Sequence, residues 1–209
     1  MFRIVPWMCR EEWLTTYQNL YNFQAPKSQV KGVERVQVWK SRSSGKIPLS
    51  IEVTASLIAA TTSDAEQSQK SSLTVRLTMA MAIVRFVNGM VDNEQKGVYA
   101  RSVQSIADDI GIPDWLVDLR HEATHAGLPS LEVLRAGCRF SLDWLRTHYW
   151  ESVIAEIEQK DEKLVKLVQS FIEEYEVDLT KREKKKKRKK KNQGLIKEIV
   201  DLTCDYNMW

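Results

Sequence analysis

What the sequence is short of narrows the choices quickly. Its three cysteines, Cys9, Cys138 and Cys204, are far apart and odd in number. No CxxC pair is present, which removes the usual zinc and dithiol redox arrangements and favours a reducing compartment. Only three histidines occur in 209 residues, so any histidine chemistry must come from His121, His125 and His148. The first residues, MFRIVPWMCREEW, lack an apolar core of the length a secretory signal needs and turn acidic at once. The most apolar stretch, Leu73 to Val91, is interrupted by Arg76, Arg85 and Asn88 and makes a poor membrane span. No alternating run is long enough for a useful strand, and no internal repeat of about 20–50 residues is visible. A soluble, all-α chain is expected, with no membrane partner.

Apolar residues make up 43% of the chain, enough for a core. The formal charge of +3 conceals an asymmetry. Residues 181–191, KREKKKKRKKK, carry +9 by themselves, which leaves the remainder acidic at about −6. Helical spacing recurs throughout. Trp13, Leu14, Tyr17, Leu20 and Tyr21 form one stripe between about residues 10 and 23, and Val33, Val36 and Trp39 form another before Ser43-Ser44-Gly45. Pro48 suits the first turn of a third helix. A central helix from about Ser71 to Val91 is apolar nearly all round. A short one, Val103 to Ile110, ends at Gly111 and Pro113. A motif helix spans about Pro113 to Ala126, with Trp115, Leu116 and Leu119 as its core face and Gly127 as its C-terminal glycine. Ser130 is the expected N-cap of a long helix to about Glu158, and Leu164 to Tyr175 read as one more amphipathic helix. The expected organisation is a helical domain over 1–158, an added helix over 159–180, and a disordered basic tail over 181–209.

The motif helix reads LRHEATHAG from Leu119 to Gly127. His121 and His125 are four residues apart and share a helix face. Two chemistries fit. As H-E-x-x-H, the two histidines would be zinc ligands and Glu122 the general base. That reading lacks an obvious third ligand, because Leu128 and Leu131 stand where the extended pattern has glycine and histidine. As Arg-His-x-x-x-His, the segment supplies what metal-free RNA cleavage needs. A base must take the ribose 2′-hydroxyl proton and an acid must protonate the departing 5′-oxygen, both within reach of imidazole near neutrality. A guanidinium, here Arg120, forks onto the phosphate oxygens and offsets the developing charge. The plain structural alternative is that both histidines only satisfy local hydrogen bonds.

Arg120-His121-Glu122-Ala123-Thr124-His125 resembles the R-polar-x-x-x-H motif of HEPN-domain ribonucleases. With Pro6-Trp7, Glu12-Trp13, Leu20-Tyr21, the run Ile112 to His125, Leu128-Pro129-Ser130 and the helix from Ala136 to Trp150, the chain is similar to the Las family of eukaryotic endoribonucleases. The resemblance covers about residues 1–155, and the closing GLIKEIVDLTCDYNMW carries none of it. It implies an all-α HEPN-type bundle that dimerises so that two motifs face each other. It further implies cofactor-free cleavage of precursor ribosomal RNA in the second internal transcribed spacer, leaving a 2′,3′-cyclic phosphate and a 5′-hydroxyl. A polynucleotide 5′-kinase partner and a nuclear, nucleolar location come with it. By position Arg120, His121 and His125 would be catalytic, with acid and base roles shared between the histidines and no metal site.

The lysine tract suits either a nuclear or nucleolar address or a phosphate-gripping arm. Trp13, Trp39 and Trp144 are expected in the core, Cys138 is a small core residue, and Arg76 and Arg85 should find interhelical ion-pair partners. A catalytically idle RNA-binding scaffold is the alternative function.

Overall fold

A computed structural model describes residues 5–65, 72–95, 101–180 and 188–206. Among the described residues every regular element is helical. The chain divides into two compact units, residues 14–150 and residues 1–13 with 151–209.

The larger unit is built around α4 (Ser72–Glu94). This helix packs on α3 (Leu49–Ala65), α5 (Val103–Asp109), α6 (Asp114–His125) and α7 (Leu131–Leu145), while α2 (Pro26–Arg42) lies on α3. By length and composition α4 could cross a membrane, yet more than half of its most apolar window is buried inside the protein. Its near-continuous apolar run serves many neighbours at once, including Met79, Ile83, Phe86 and Val87. The helix runs past Asn88-Gly89, because Gly89 sits against the Leu49 side chain and needs no turn there.

The ends obey local chemistry. Pro26 opens α2, and Pro48 immediately precedes α3. The hydroxyl of Ser102 accepts from the Ser105 N–H at the start of α5, and Ser130 does the same for Val133 at the start of α7. Gly111, at φ +73°, supplies the left-handed residue that ends α5. The polar stretch 66–71 lies outside the described residues.

Aromatic residues tie α1 (Arg10–Leu20) to the rest of this unit from Tyr17 onward. Tyr17 stacks on Trp150 at 5.4 Å, and the Trp150 indole N–H donates to Thr54 Oγ1 at 3.1 Å. The Tyr21 hydroxyl donates to the Leu142 carbonyl at 3.0 Å, and burial pushes its ionisation upward. Trp13 and Trp39 are buried as expected, and Trp144 is half-buried with its N–H on the Ile110 carbonyl. Cys138 is fully buried, which raises its thiol to about 12.

In the smaller unit α8 (Ser152–Thr180) packs on α9 (Arg188–Tyr206), and Arg10 Nη1 meets Asp161 Oδ2 at 2.7 Å. A π-helical turn, Arg146–Glu151, joins α7 to α8. Residue 158 falls inside the unbroken α8. The all-α expectation holds, but the tail departs from it. Its described part, residues 188–206, is a helix rather than disordered chain, because Leu195, Ile199 and Leu202 give it an apolar stripe to set against α8. Residues 181–187 of the lysine tract lie outside the described residues.

Candidate functional site

The motif helix α6 is anchored by its inward side. Leu116, Val117 and Leu119 are buried, and α7 crosses them at Gly137. A Cβ on Gly137 would come within 2.8 Å of both Ile83 Cδ1 and Leu119 Cδ2, so only glycine permits this close approach without a shift. Trp115 is a correction to the expected core face. It is 43% exposed and meets Phe140 edge-on at 5.7 Å, because the helical turn carries it away from Leu116 and Leu119.

His121 and His125 are exposed, with ring centroids 4.9 Å apart. Neither ring is buried as a structural hydrogen-bonding group would be. Thr124 between them turns its hydroxyl back onto the Arg120 and His121 carbonyls, both at 3.0 Å. Glu122 is exposed and points to no assigned partner.

Arg120 stands apart from the histidines. Rotation along the helix puts it on the side of Leu116 and Leu119, and it is half-buried. Its Nε is shielded from water and, among the described residues, has no hydrogen-bond partner. A guanidinium held this way retains its donors for an incoming acceptor, and an unsatisfied buried donor is costly until one arrives. The histidines are therefore brought together, while Arg120 is displayed at the seam between their exposed face and the core.

The helix ends at Ala126 without a left-handed glycine. Gly127 has no positive φ, so the expected glycine cap is absent. The following turn is held from outside instead. Arg76 of α4 donates from Nε to the Pro129 carbonyl at 2.9 Å and from Nη2 to the Leu128 carbonyl. An arginine in an apolar helix was the sequence signal for this clamp, but its partners were expected to be carboxylates. Arg85 does meet that expectation, reaching Glu52 Oε1 on α3 at 2.8 Å.

Other polar groups are committed elsewhere. His148 stacks on Trp144 at 4.3 Å and shares its Nδ1 with the Trp144 carbonyl at 3.0 Å. It lines a concavity of about 630 Å³ with Glu94, Asp108 and Asp109, whose negative charge is unsuited to a phosphate. Asp114, at the start of α6, is shifted upward by desolvation and by neighbouring Asp108. Among the described residues no three His, Cys, Asp or Glu side chains gather as a metal site would require.

A helical bundle that displays two adjacent imidazoles and an unpaired guanidinium from one helix end defines a class of protein built on an Arg-His-x-x-x-His motif. The chain belongs to the Las1-like family, which it matches over residues 5–152. It is 37% identical over 153 residues to the pre-rRNA-processing protein las1 of Schizosaccharomyces pombe, covering 71% of this chain and 31% of that one. It is 36% identical over 160 residues to protein LAS1 of Saccharomyces cerevisiae, again covering 71% and 31%. The ribosomal biogenesis protein LAS1L of Mus musculus is 34% identical over 147 residues, covering 70% of this chain and 19% of its own length. The chain thus spans a third or less of these relatives.

Proposed function

We propose that this protein is an endoribonuclease that processes precursor ribosomal RNA, cutting in the second internal transcribed spacer without a metal ion or other cofactor. The observation that carries the reading is the exposed His121–His125 pair beside an arginine whose Nε lacks a protein partner. One imidazole takes the ribose 2′-hydroxyl proton as the 2′-oxygen bonds to phosphorus. The other protonates the 5′-oxygen as the P–O5′ bond breaks. Arg120 forks onto the non-bridging oxygens and stabilises the charge they gain. The products are a 2′,3′-cyclic phosphate and a 5′-hydroxyl, the substrate of a polynucleotide 5′-kinase partner. The substrate assignment is supported by relatives named for pre-rRNA processing and ribosome biogenesis, roles that belong to the nucleus and nucleolus.

The working form is a homodimer. Leu73, Leu77 and Met81 make an exposed apolar ridge on α4, the same helix whose Arg76 holds the turn behind the motif. Burial of that ridge against a second copy would bring two sets of motif residues to one RNA.

The test is cleavage of a transcript containing the spacer, in EDTA, with mass analysis of the ends. A cyclic phosphate whose appearance is lost in His125→Ala is the expected result. Activity only with added divalent ion, and a 5′-phosphate product, would mean a metal-activated water. Tight binding with no cutting would mean a scaffold.

A further inference from the structure

The α8–α9 hairpin closes only one of its two flanks. Leu164, Leu167 and Phe171 of α8 and Leu195, Ile199 and Leu202 of α9 are half-buried at the spacing of a two-helix seam. On one flank Lys163 Nζ reaches Glu198 Oε1 at 3.6 Å, which fixes the level at which the two helices pass each other. One residue further along, a helix turns by about 100°. In an antiparallel pair the same rotation on both helices leads to the same flank, the one opposite the ion pair. There Val165, Val168, Ile172 and Tyr175 of α8 and Ile196 and Val200 of α9 stay between 38% and 60% exposed. They form a second apolar seam beside the first, with nothing laid on it. Such a continuous face on a two-helix element is an interaction surface by composition.

We propose that this face pairs two copies of the chain, α8 of each lying antiparallel to α9 of its partner in a four-helix arrangement. The polar edges of the face say what covers it. Exposed Glu162 and Glu173 border the seam on α8, whereas Lys197 borders it on α9. A face with both signs on opposite edges complements itself under a two-fold rotation, while a face with one sign would call for a different partner. At the level set by Lys163 and Glu198, Val165 then meets the partner's Ile196, and Glu162 comes beside the partner's Lys197. The inference concerns a different compact unit from the motif and goes beyond the nuclease reading.

Two measurements on the full chain decide it. In a Cys9→Ser, Cys204→Ser background, chains with Val165→Cys are mixed with chains carrying Ile196→Cys and oxidised. A disulfide-linked mixed dimer is expected, and its absence overturns the pairing. Separately, Val168→Glu with Ile172→Glu should weaken self-association roughly a hundredfold by sedimentation. Helix content should stay unchanged, because neither side chain lies on the inner seam. Unaltered association overturns the surface itself. Both readouts are independent of RNA cleavage, so a chain that forms the adduct but never cuts tells against the nuclease reading alone.

Discussion

The unit over residues 14–150 and the α8–α9 hairpin solve the same problem differently. In the first, α4 is enclosed by four other helices, and its apolar residues vanish into a shared interior. In the second, a longer helix, α8, has one helical neighbour in its unit and leaves a row of valines, an isoleucine and a tyrosine in water. The first unit therefore carries its own core and can hold side chains at fixed positions, as catalysis demands. The second depends on what covers it, and that makes it a surface for assembly.

The largest effect that would sharpen this contrast is chemical. His125→Ala should lower spacer cleavage by about 10²–10⁴-fold. Because the ring is exposed, the thermal unfolding midpoint should hardly move, with stability changing by no more than about 0.5 kcal/mol. A cleavage rate equal to the parent's would remove His125 from the site. Next comes the core. Leu119→Ala, on the inward side of α6, should cost about 2–5 kcal/mol in denaturant unfolding. The matching change in the hairpin, Val165→Ala, should cost well under 1 kcal/mol in the same measurement at protein concentrations too low for self-association. Equal losses at the two positions would erase the distinction between the units.

Much of the first unit is legible in the sequence because its signals are local. The stripe of α2, the proline before α3 and the Ser130 cap each act within a turn or two of themselves. The motif helix and the pairing of its histidines follow from a spacing of four. Arg120 was harder. Adjacency in sequence grouped it with His121, yet a step of one residue carries it round toward the core. Arg76 was harder still. Its two carbonyl partners lie more than fifty residues away, and only the packing of α4 across the end of α6 joins them. The tail was misread for a different reason. Its lysines suggest solvated chain, and α9 becomes a helix through three apolar residues that need α8 opposite them. Composition registers charge but not a distant partner.

The clamp itself supplies an intermediate effect. Arg76→Met leaves the Leu128 and Pro129 carbonyls without their donor, a loss of roughly 1–3 kcal/mol. If the clamp positions the histidines, amide exchange should quicken near the end of α6 and kcat should fall more than KM rises. Arg76→Lys, which keeps a single donor, should restore part of kcat. A variant with faster exchange but full kcat would make the clamp purely structural.

The smallest effect is electrostatic and lies wholly within the larger unit. Glu52 on α3 accepts from Lys40 Nζ of α2 at 2.7 Å and from Arg85 Nη2 of α4 at 2.8 Å. Burial alone would raise its carboxyl, but the two charged donors outweigh it and hold the group below the usual 4.5. A carboxyl depressed in the folded state takes up its proton more readily once unfolded. Its contribution is therefore complete above pH 4.5 and is lost as pH falls through the lower folded value. Both cations are partly exposed, so the amount is modest, roughly 0.5–1 kcal/mol. Glu52→Gln should lower stability by about that much at pH 7 and flatten its acid dependence below pH 5 in urea unfolding. Parallel pH curves for the parent and the variant would show that three helices meeting at one carboxylate draw their stability from packing alone.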